Sequence, residues 1–193
     1  ESNSVEVYRI TKYDKNWKRI SSCGLYGANT SSPFEAGSAR IAEAGRYLLI
    51  HTCHEMYKSS DGYNHQANVT IQVDTQTMKV TDSHTTISYE ETGYVSHSFN
   101  QFVKVENNKL ITVDHGDGYP RAIALIKYGK DISEGTFRST CTCSKLLSIQ
   151  GGTGENTTGV TVGGFEISSS SYLVAGTQDL IQTSPSAGCN IYM

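Results

Sequence analysis

The chain has 193 residues, with 18 Gly, 3 Pro and 12 Tyr, and its 16 basic and 19 acidic residues leave a formal net charge of -3. That balance, with no basic run interleaved with aromatics, argues against nucleic acid or an anionic membrane surface as partner. No apolar run is long enough for a membrane-spanning helix, so membrane insertion is not expected.

In chain order the pattern predicts short strands joined by turns, because helical spacing of apolar residues is nearly absent. A first hairpin runs from Val5–Ile10 through Asp14–Trp17 to Lys18–Ile20, followed by a crossover over 21–37. The stretch 38–47 has the best helical composition, but it carries Gly45 and runs into Tyr47-Leu48-Leu49-Ile50, so Ser38–Ile41 and Tyr47–Thr52 are read as strands flanking a turn at Glu43–Gly45. A polar loop is expected over His54–Gln66, then Val69–Val73, a turn at Asp74–Thr77, and Met78–Val80. After a crossover over 85–95 come Gln101–Val105, a turn at Asn107-Asn108, Lys109–Asp114, a second polar loop His115–Arg121, Ala122–Ile126 and a turn at Gly129–Asp131 leading into a strand from Ile132. A crossover over 150–158 leads to Gly164–Ile167, a Ser168–Ser171 turn, Tyr172–Thr177, a loop over 178–188 and a last short strand ending at Met193.

Three of these strands repeat. Leu48, Leu110 and Leu173 occupy equivalent places, separated by 62 and 63 residues, and each strand follows another across a short polar turn. The expected fold is therefore all-β: about three four-stranded antiparallel meanders of the kind that form β-propeller blades, with a β-sandwich as the alternative. The whole chain, 1–193, is read as a single propeller-type domain or fragment, with units near 1–35, 36–94, 95–158 and 159–193. It starts and stops inside a unit, so further blades from a longer chain, or self-association, are expected to complete it.

In such a meander the long connectors leave from one end of the sheets, and loops on a rigid scaffold are where binding residues collect. The candidate binding residues are Tyr57, Asp61, Tyr63, Asn64, His65 and Gln66 from the first loop and His115, Asp117, Tyr119 and Arg121 from the second. Tyr rings stack on sugar faces or anchor protein interfaces, and the polar residues supply hydrogen bonds. Asp114 and Asp117, set among glycines, are a candidate calcium pair without the rest of an EF-hand loop; otherwise no cofactor is expected. Cys141 and Cys143 share a strand face, and His51 shares one with Cys53 but not with His54, so neither set closes a zinc site without a bulge. A His on an inner strand is read instead as hydrogen-bonded in a semi-polar core. Ser96-His97-Ser98 has no Gly-x-Ser-x-Gly elbow, and no catalytic residue is assigned.

The segments Lys12–Arg19, His51–Tyr57, Asp61–Asn68, Val95–Phe102 and Asp114–Arg121 resemble repeats in large secreted or wall-attached proteins of anaerobic Gram-positive bacteria. The resemblance spans nearly the whole chain and implies an extracellular or cell-surface, multidomain parent. The expected function is a noncatalytic binding module, adhesin-like, that contacts a host glycan or glycoprotein. A glycan-active hydrolase or lyase using Glu55, Asp61, Asp114 or Asp117, and an architectural spacer, are the alternatives.

Overall fold

The computed structural model describes residues 4–33, 38–85, 93–118, 120–138, 140–149, 160–179 and 189–192, and among them every regular element is a strand apart from one 3-10 turn at Ile132–Glu134. The strands form four antiparallel sheets in chain order. The first pairs β1 (Glu6–Tyr13) with β2 (Arg19–Tyr26). The second holds β3 (Thr30–Pro33), β4 (Arg40–Ala44), β5 (Tyr47–Lys58), β6 (Asn64–Asp74) and β7 (Lys79–His84). The third runs β8 (Ser98–Glu106), β9 (Lys109–Asp117), β10 (Arg121–Tyr128), β11 (Cys141–Ser148), and the fourth β12 (Val160–Ile167), β13 (Tyr172–Asp179), β14 (Cys189–Tyr192).

Strand neighbours are consecutive in the chain, as a meander requires. The second sheet adds one feature. Thr30 lies opposite Met56 and Pro33 opposite His54, while Arg40 lies opposite His51 and Ala44 opposite Tyr47, so β3 and β4 are two pieces of one interrupted edge strand along β5. Thr30–Pro33 therefore belongs to the second sheet, although the repeat boundary near 35 would have left it in the first unit. The Asn107-Asn108 turn has φ of 50° and 60°. Positive φ at both central residues is the type I′ geometry that matches strand twist, and Asn tolerates it better than other residues with a Cβ.

Because side chains alternate across a strand, the second and third sheets each pack with both faces. Leu48, Ile50, Val69, Ile71 and Val73 face Leu25, Val7 and Ile10 of the first sheet. Leu49 faces the other way, onto Val103, Leu110, Ala124, Ile126 and Tyr128 of the third. One residue further along each strand, Ile111, Ile123 and Leu125 pack on Val160, Val162, Phe165 and Val174 of the fourth. Each fully buried aliphatic side chain contributes about 1.5–3 kcal/mol relative to exposure.

The repeat is visible in the contacts themselves. Lys12 Nζ donates to the Thr75 carbonyl at 2.9 Å, Ser38 Oγ to Gln101 Oε1 at 3.2 Å, and His51 meets Asp114, all at a sequence separation of 63. Lys104 Nζ reaches Glu166 at 2.8 Å with a separation of 62. Equivalent positions of successive units thus touch across the sheet boundaries.

Three expectations change. The polar stretches read as loops are mostly strand: β5 continues to Lys58 and β6 begins at Asn64, leaving a turn at 59–63, and β9 runs to Asp117 with β10 starting at Arg121. The stretch Glu43-Ala44, read as turn, ends β4 instead. The strand expected from Ile132 begins only at Cys141, because Ile132 and Phe137, both fully buried, fill the base of the seam between the second and third sheets. Asp82 holds that detour by accepting from the Phe137 and Arg138 amides at 3.0 and 3.2 Å.

Candidate functional site: a polar rim above a buried polar seam

Polar residues on inner strands must find partners once the sheets close over them, and the boundary between the second and third sheets supplies these. His51 and Asp114 are both completely buried. His51 Nδ1 lies 2.7 Å from Thr70 Oγ1, and His51 Nε2 lies 3.0 Å from each Asp114 carboxylate oxygen. Ser98 Oγ donates to Asp114 at 2.9 Å and itself accepts from Gln101 Nε2 at 2.8 Å. Burial, and then the Asp114 charge, push the Cys53 thiol up to about 12, so the sulfur stays protonated. His54, on the other face, is within 2.6 Å of Thr30 Oγ1, which keeps it apart from the His51 and Cys53 face as the alternation predicts. Cys23 and Cys53 are free thiols.

Above this seam the rim is assembled from three segments. The β5–β6 turn is tied by Asp61, whose Oδ1 accepts from Tyr63 N at 3.0 Å and Ser59 Oγ at 2.8 Å, and whose Oδ2 accepts from His65 Nε2 at 2.6 Å. These bonds, the Tyr63 amide first, lower the Asp61 carboxyl to about 2. Tyr63 is 70% exposed at the tip. The segment 93–97 then crosses the boundary: Ser96 bridges to Ala67, Asn68 N donates to the Val95 carbonyl at 3.1 Å, and His97 N donates to the Gln66 carbonyl at 2.7 Å. His97 adopts φ of 52°, unusual for a residue with a Cβ. That geometry accompanies a contact of 3.1 Å between His97 Nε2 and His65 Nδ1.

From His97 the chain of contacts passes to the β9–β10 hairpin. Asp117 N donates to the His97 carbonyl at 3.4 Å, and the nearly buried Asp117 carboxylate is paired with Arg121. Gly118 sits where an added Cβ would stand 2.7 Å from Ser96 Oγ, so the hairpin closes onto the crossing segment only with glycine there. His115 is buried beneath, and burial followed by the Arg121 charge lowers it to about 4.

The two hairpins expected to share a rim are thus stitched to each other through 93–97. Asn64 lies on the outer side, its Nδ2 donating to Ser31 Oγ of β3 at 3.3 Å. Gln66 contributes its carbonyl, Tyr57 is half-buried, and Tyr119 lies outside the described residues. The candidate calcium pair is not assembled: Asp114 and Asp117 are three apart on one strand, and each carboxylate has its own partner, His51 and Ser98 for the first and Arg121 for the second. Among the described residues no three His, Cys, Asp or Glu side chains converge on a common point. His97 was missed as a rim residue; its place next to Gln66 depends on the crossing segment, which no local pattern marks.

The protonation of the rim follows from its bonds. An ionised Asp61 only accepts, so His65 carries a proton on Nε2, and its Nδ1 faces His97.

No protein-family model matches the chain, and no curated protein or solved structure gives a significant match.

Proposed function

We propose that the chain is part of a β-propeller in a secreted or cell-surface bacterial protein, and that its rim is a noncatalytic recognition surface for a host glycan or glycoprotein. Four sheets stacked in chain order, with β8 packed against both β4 and β12, support blades over the two facing layers of a sandwich. The observation that carries the recognition reading is Tyr63. It is a large aromatic ring, 70% exposed, on a turn fixed by three hydrogen bonds to Asp61. An exposed aromatic on an ordered support loses little entropy when it stacks on a sugar face or enters a protein pocket.

The carboxylates favour binding over hydrolysis. A general acid needs a raised pKa, but Asp61 is lowered and Asp117 is paired with Arg121, while Asp114 is buried against His51 and Ser98, away from the rim surface.

An array of host glycans and glycoproteins probed with the purified chain tests the proposal. Binding that falls at least tenfold in Tyr63→Ala is the expected result. Binding indifferent to Tyr63→Ala, or turnover of an arrayed glycan, would overturn it.

A further inference from the structure

The contact between His65 and His97 has a chemistry beyond the support that His65 gives the Tyr63 turn. The two rings come from different segments, β6 and the crossing strand, and their planes are 26° apart with centroids separated by 5.4 Å, so the nitrogens face each other across the gap. His65 Nε2 is already bonded to Asp61 at 2.6 Å. A carboxylate behind the far nitrogen of an imidazole is the support that orients a histidine toward a metal and raises its basicity. In the neutral tautomer that donates from Nε2 to Asp61, His65 turns its Nδ1 lone pair toward His97 Nε2 at 3.1 Å.

We infer that His65 Nδ1 and His97 Nε2 form a two-imidazole chelate for a borderline-soft divalent ion such as Zn2+, with Asp61 as the carboxylate behind it and the remaining positions open to water or an external ligand. Two Zn–N bonds of about 2.0–2.1 Å across this gap subtend about 100° at the metal, near the tetrahedral value. The lone pairs reach a common point when each ring turns by about 40°, a change in the broad His χ2 torsion. Imidazole pairs suit Zn2+, Cu2+ and Ni2+, and do not suit calcium, which takes oxygen ligands. The site is half-buried and the strained His97 backbone sets its bite. The inference stands whether or not the rim also binds a glycan, because it needs only these three side chains.

Isothermal titration of the chain with ZnCl2 at pH 7.5 tests it, alongside His97→Asn, His65→Gln and Asp61→Asn. Asn is chosen at 97 because it tolerates positive φ and keeps the backbone; circular dichroism verifies the fold of each variant. The expected result is saturable binding of one Zn2+ per chain, weakened at least tenfold in His97→Asn and in His65→Gln. In Asp61→Asn, with both ligands kept, it weakens by about 10–100-fold. Absence of saturable binding by the wild-type chain, or a Zn2+ affinity unchanged in a folded His97→Asn, would overturn the inference.

Discussion

On β9, Ile111 and Val113 pack toward the fourth sheet, while the adjacent Thr112 and Asp114 face the second. The boundary between the third and fourth sheets is closed by Ile, Val, Leu and Phe, and its packing is non-directional. The boundary between the second and third is apolar at its base, around Leu49, Leu110 and Phe137, and polar above, around His51 and Asp114. A purely apolar seam stabilises any arrangement that buries enough area. A buried histidine facing a buried carboxylate tolerates one register only, because a slip leaves both groups without partners. It is the polar seam that lies beneath the rim, and we attribute the rim's alignment to it.

Acid should have the largest effect, and it acts on the whole stack, because the buried histidines lie on opposite faces of the central sheets. Burial lowers His54, His84 and His115 to about 4, below the roughly 6.5 of an unfolded histidine. The unfolded chain therefore takes up protons first, and the stability these groups contribute is fully present above about pH 6.5 and drains away as pH falls toward about 4. The slope is up to about 1.4 kcal/mol per pH unit for each histidine. Urea midpoints at pH 7.0 and 4.5 should differ clearly; equal midpoints would show that these histidines are not enclosed.

Next in size is Asp114→Ala, which strands His51 Nε2 and the Ser98 hydroxyl and should lower the unfolding free energy by about 3–5 kcal/mol in urea titration. On the apolar boundary, Ile123→Val should lower it by about 0.5–1.5 kcal/mol, with the same loss at pH 7.0 and pH 4.5. Smallest is Lys104→Ala, which removes a solvent-exposed pair with Glu166. Exposed ion pairs are screened, and the change should stay below about 1 kcal/mol.

Much of this was legible in the sequence. The spacing of Leu48 and Leu110 marked the repeat, since both face the preceding sheet, whereas Leu173 is 53% exposed and Val174 packs inward in its place; the interval of 62 or 63 residues reappears as physical contacts between successive sheets. The turns at Asn107-Asn108 and Ser168–Ser171 were readable because their chemistry is local. The strands through His54–Lys58 and Asn64–Gln66 looked like loops because their side chains are polar. Polarity marks a loop only when the outward face is solvent, and here inner strands pair their polar residues across β3 and the crossing segment. His51 could be placed in a semi-polar core from its alternation. Its partner Asp114 could not, since that pairing exists only once two sheets 63 residues apart are stacked. The separation of Asp114 from Asp117 was not read, because Asp117 was placed in a loop; β9 runs on to Asp117, and three residues apart on a strand the two point to opposite faces.

A double-mutant cycle on His51→Ala and Asp114→Ala tests most directly whether a directional polar contact joins the two central sheets. The account predicts a coupling free energy of about 1–3 kcal/mol between them. Losses that add to within about 0.5 kcal/mol would contradict it, and the rim would then need another explanation for its alignment.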